Sequence, residues 1–210
     1  MRRTALTIAV LALGLAAPVE AASPAGAIGP QVPVKGATTF CLTPAADQAL
    51  KAQHVDLRAT APATLDTTGP TPCVSFPITS GAVALDLISG GAPLDGAIAF
   101  VRTTDGSRAD FTHLFSNVTR RTVTAVARVN YGPAAEIDFL TYTVSTDHVR
   151  LGLDGIDAAG LPLNLAPAGA QTFRQALGTS PLAAGQQLFA GDGHVDLVRS
   201  VLAVPVGLTN

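Results

Sequence analysis

The feature that most limits what this chain can fold into is a succession of short apolar or alternating segments, rich in Val, Ile, Thr and Phe, that runs from Val74 to Ile156. The segments are Val74 to Ile78, Ala82 to Ile88, Ala97 to Thr103, Ala109 to Ser116, Thr122 to Asn130, Glu136 to Ser145 and His148 to Ile156. Thr104-Asp105-Gly106-Ser107 and Asn130-Tyr131-Gly132-Pro133 are turn sequences placed between them. Strands this short, separated by tight turns, predict antiparallel hairpins. In Ala109 to Ser116 the alternation sets Phe111, His113 and Phe115 on one face and Asp110, Thr112 and Ser116 on the other, so a strand here has a core side and a wet side. Sheets of that kind must close over their apolar faces. The expected fold is therefore mainly β, an antiparallel β-sandwich or open barrel, with two short helices.

The helices are marked by their ends. Thr43 before Pro44, with Asp47 in the first turn, supplies an N-cap, a first-turn proline and an acid that complements the helix dipole, which predicts a helix from Pro44 to about Gln53. Pro167 and Gly178 bracket the second. Leu42-Thr43-Pro44-Ala45-Ala46 and Leu165-Ala166-Pro167-Ala168-Gly169 also match in part, which fits either a reused helix start or two helices packed equivalently at the sheet's ends.

Arg2 and Arg3, the apolar run Ala5 to Ala17 and the small-residue end Val19-Glu20-Ala21 have the layout of a secretory signal peptide over residues 1–21, with cleavage after Ala21. The run is shorter than the ~20 residues that span a bilayer, so a membrane anchor is the weaker alternative. Residues 22–37, rich in Ala, Pro and Gly, read as a flexible lead, and residues 38–206 as one domain. After export the protein is expected to be secreted or associated with the cell wall, without a membrane span. In an oxidising compartment Cys41 and Cys73, the only cysteines, are most simply paired in a disulfide; a metal or redox pair is the alternative, and the spacing does not favour it. A formal net charge of -2 gives no electrostatic footprint for nucleic acid.

Catalytic chemistry finds no carrier. There is no Gly-x-Ser-x-Gly elbow, and Asp154 and Asp157 read as hairpin residues, so the chain is expected not to be an enzyme. Asp192, His194 and Asp196 alternate and would share one strand face, but a flat face offers at most three ligands, and Gly191 and Gly193 suggest a turn there.

The order of motifs resembles a family. The Leu42-Thr43-Pro44-Ala45-Ala46 helix start is followed by Ser75-Phe76-Pro77-Ile78-Thr79-Ser80-Gly81, by Gly90-Gly91 ahead of Gly96-Ala97-Ile98-Ala99-Phe100, by the second Pro-Ala helix and by Leu188-Phe189-Ala190-Gly191. From about Phe40 to Leu197 this is similar to the Htaa domain of actinobacterial haem-uptake proteins. The resemblance implies a secreted or surface-bound β-rich binding domain, with haem or a cell-envelope protein as partner. Structural or adhesive use of the same module is a further alternative. Two departures bear on haem. Where haem-binding members carry an aromatic-rich lead with a ligating tyrosine, Val34 to Thr43 has only Phe40; where they carry a His ahead of the Phe-containing strand, this chain reads Leu94-Asp95-Gly96-Ala97. Haem binding is accordingly expected to be weak or absent. Should haem bind, the replacement ligands are His113, on its apolar strand face, and then Tyr142.

Overall fold

A computed structural model describes residues 31–84, 89–152 and 155–197. The expected signal peptide lies outside the described residues.

Both helices form where their end signals stand. Helix α1 (Pro44–Ala52) is opened by Thr43, whose hydroxyl accepts from the Ala46 N–H at 3.2 Å, and Lys51 reaches Asp47 one turn back at 2.7 Å. Ala46 and Leu50 are its buried residues. Helix α2 (Pro167–Leu177) has no side-chain cap at Ala166 and stops at Gly178, whose φ of 72° is the left-handed conformation that glycine enters without steric cost.

The strands are β1 (Gln31–Leu42), β2 (Val55–Thr60), β3 (Thr64–Asp66), β4 (Cys73–Ile78), β5 (Ala82–Ala84), β6 (Gly90–Leu94), β7 (Ala97–Arg102), β8 (Arg108–Asn117), β9 (Thr122–Val129), β10 (Ala134–Thr141), β11 (Val149–Leu151), β12 (Gly155–Leu165) and β13 (Gln187–Leu197). All their pairings are antiparallel, and they close into a ring. β1 pairs β5, β5 pairs β6, β6 pairs β8, and β8, β9 and β10 follow as hairpins. β10 then meets β12 at Leu140↔Leu165 and Thr141↔Asn164, β12 pairs β13, and β13 returns to β1. Eight strands thus form a barrel. β4 with β3, and β7 with β2, branch from β1 and β8, while β11 flanks β12.

The two ends of the barrel are filled differently. Phe40, Phe76, Phe100, Phe111, Phe139, Phe173 and Phe189 pack against one another at one end, with Phe111 and Phe139 stacked at 4.0 Å and Phe100 meeting Phe173 of α2 edge-on at 4.8 Å. Leu42 and Leu163 both stand opposite Phe189, so β1 and β12, on either side of β13, run out into α1 and α2 at this same end. Arg102 and Asn130 close the far end of α2 by donating to the Leu177 and Ala176 carbonyls.

Three expectations need correction. The lead does not extend to residue 37, because β1 begins at Gln31 and pairs with β5 over Gln31 to Pro33 and with β13 from Val34 onward. The strand expected from His148 to Ile156 is a hairpin instead, β11 turning into β12. Finally, Gly191 and Gly193 lie inside β13 rather than in a turn.

Candidate functional site

Opposite the phenylalanine end the barrel is hollow. β13 shows why: its inward positions there are Gly191, Gly193 and Val195, while Asp192, His194 and Asp196 point to solvent. Neighbouring strands also turn small or β-branched residues inward, among them Val34, Val83, Ala92, Val123, Ile156 and Ala158. Small side chains cannot reach across the barrel, so space remains where the phenylalanines elsewhere leave none. The lumen has a cavity volume of about 160 Å³ and opens to solvent at its mouth.

The wall carries no charged side chain. Its side-chain polar groups are the hydroxyls of Thr38, Ser116 and Tyr142. Thr38 donates to the Asp192 carbonyl of β13 at 2.9 Å and is spent on the wall itself. Tyr142 stands just past β10, held by its backbone N–H donating to the Arg121 carbonyl at 3.0 Å. Its side chain is 7% exposed, and its hydroxyl lies 3.2 Å from Ser116 Oγ on β8. Burial pushes the Tyr142 phenol above its usual value, outweighing the opposing effects of the Ser116 hydrogen bond and the Arg121 charge. At neutral pH it is therefore a hydroxyl that can donate and accept.

The two proposed haem ligands separate. Tyr142 lies on the lumen wall, but His113 does not share the inward face of Phe111 and lies instead with Phe115 on the outer side of β8. The β8 to β9 register shifts between Thr112 and Phe115, so the strand carries a β-bulge there. Phe111 and Leu114 face in, whereas His113, at φ 50°, is exposed with its ring against the Thr112 hydroxyl at 3.1 Å. Alternation counted from sequence alone cannot register an inserted residue.

Leu94, where the resemblance would place a His, is buried and faces the lumen, as does Phe40, the sole aromatic of the segment where it would place a Tyr. Cys41 and Cys73 are bonded, directly opposite each other on β1 and β4. His194 lies on the outer face between Asp157 of β12 and Asp196, at 2.6 and 3.2 Å. No group of three metal-ligating side chains with metal-site geometry occurs among the described residues. Alternation in the sequence brought Asp192, His194 and Asp196 to one face; the lumen itself had no local signal beyond the small residues of β13.

No family model matches the sequence, and no curated protein matches it. Solved structures do. The C-terminal domain of HtaA from Corynebacterium glutamicum superposes with a TM-score of 0.58 at 13% identity, over 79% of this chain and 98% of that one. The heme binding protein HtaB from the same organism gives 0.53 at 9% identity, over 79% and 95%. At such identities the likeness is one of architecture. The chain has the fold of these two solved domains.

Proposed function

We propose that this chain is an exported, non-enzymatic binding domain of Htaa type that takes an apolar ligand into its barrel lumen. The observation that carries the reading is the hollow half of the eight-stranded ring, walled by small aliphatic residues, with hydroxyls as its only polar side chains. An eight-stranded barrel encloses room for one small ligand when its inward residues stop short of the axis. The wall offers no carboxylate, imidazole or thiol to move a proton or attack a bond, which favours holding over chemistry. The disulfide and the signal-like first 21 residues favour work outside the cytoplasm, at or beyond the cell envelope. A neutral fluorescent probe, N-phenyl-1-naphthylamine, tests the reading. Its emission should rise with the wild-type protein and stay at the buffer level with Ala158→Phe, which fills the lumen; no rise with either protein rejects it.

Haem is the second reading, favoured by the likeness to a solved heme binding protein and by a tyrosine hydroxyl on the lumen wall. Tyr142 is then the side chain that faces the iron, and His113 plays no part. A hemin titration separates the two: Tyr142→Phe should remove any Soret shift and His113→Ala should preserve it. Without a shift in the wild-type protein, the haem reading falls and lumen binding of another ligand stands.

A further inference from the structure

Resting on the lumen-binding reading, we infer that the lumen is selective for an uncharged lipid carrying one hydrogen-bond acceptor, such as an aliphatic alcohol, over its ionised carboxylic counterpart. Two observations carry this. The first is charge. No Lys, Arg or His lines the lumen, so a carboxylate drawn inside would lose its hydration without gaining a counter-ion, whereas an uncharged chain loses only its apolar contact with water. Arg121, the cation whose charge reaches Tyr142, is itself exposed and stands outside the wall.

The second is a donor count. Ser116 and Tyr142 bring two O–H groups to one point, 3.2 Å apart, and the bond between them uses one. The other O–H, on either the buried Tyr142 or the half-buried Ser116, finds no acceptor among the described residues. A buried donor without a partner is costly, and an acceptor on a bound ligand removes that cost. The neighbouring wall, Val123 on β9 and Val83 on β5, offers an acceptor's carbon chain apolar contact and no rival polar side chain. The acceptor belongs beside Ser116 and Tyr142, and the chain runs along Val123, Ile156 and Ala158.

The pair is redundant by this count. Without the phenol the Ser116 O–H is free, and without the serine the Tyr142 O–H is free. Dodecanol and dodecanoate, titrated against probe-loaded protein well above the carboxylic pKa of about 4, test the inference. Dodecanol should displace the probe at a concentration about tenfold below dodecanoate. Ser116→Ala and Tyr142→Phe should each keep dodecanol affinity within a few-fold, while the double variant should lose about tenfold, the order of one hydrogen bond, with its affinity for the probe unchanged. Equal or tighter binding of dodecanoate, or of hemin, overturns the selectivity, and so does a double variant indistinguishable from wild type. Failure of the probe to bind at all rejects both the lumen reading and this inference, so the two failures are told apart.

Discussion

Asp157 and His194 face each other across the seam between β12 and β13, carboxylate Oδ1 2.6 Å from imidazole Nδ1. Asp196 approaches the other ring nitrogen at 3.2 Å, and Lys35 of β1 stands opposite Asp196 in the register. The hydrogen bond to Asp157, followed by that to Asp196, raises the His194 pKa above its usual value, because both carboxylates favour the protonated ring. A raised folded-state pKa stabilises the fold fully below the unfolded value of about 6.5 and loses that contribution as pH rises through the folded value. The NMR titration midpoint of His194 should therefore lie above that of a free histidine and fall in Asp157→Asn. An unchanged midpoint would show that the pair is not formed in solution.

The disulfide joins two strands that are already paired, and it closes a loop with a sequence separation of 32. Replacing both Cys41 and Cys73 with Ser should lower the unfolding free energy by about 3 to 4 kcal/mol in the chain-entropy picture, with the β-rich circular dichroism kept. Denaturant midpoints measured on both proteins at equal m-values check this. Two titratable thiols in the native protein would contradict the pairing.

Phe111 and Phe139 bind β8 to β10 through the plugged end, both fully buried. Phe111→Ala should cost about 3 to 5 kcal/mol, since the ring's contacts are lost and its place stays empty. Phe115, the one phenylalanine outside the aromatic cluster, serves as the control. Its replacement by Ala should cost markedly less in the same chemical denaturation.

Thr43 and Ala166 occupy equivalent positions before the two helices, and only Thr43 caps. Thr43→Ala should destabilise by about 1 kcal/mol, and Ala166→Ser, made in the wild-type chain, should stabilise by less than that by supplying the cap oxygen Ala166 lacks. Thermal melts of the two single variants should move in opposite directions.

The readable parts of the fold were those whose cause is local. Thr43-Pro44, Pro167 and Gly178 mark the helices because capping and backbone restriction act over a few residues. Strands β4, β7, β8 and β9 appear close to their alternating segments. β1 was legible only in part, because Pro33 and Gly36 look like linker residues and the strand exists through partners about 50 and 160 positions away. Tyr142 could be nominated from its residue type. Its neighbour Ser116 could not, since their meeting depends on the order of strands around the ring, and the bulge at His113 reversed an orientation inferred from strict alternation.

β13 is hydrogen-bonded on one side to the first described strand and on the other to β12. It is the keystone of the ring, and it is also the last described strand to leave the ribosome or any export pore. Until it arrives, the barrel is an open sheet, and the pairings of Val34 with Leu197 and Leu42 with Phe189 impose a contact order that makes closure slow. A chain ending before Gln187 would leave the edges of β1 and β12 without their partner. Completion of the last strand is therefore what turns an open sheet into a closed ring.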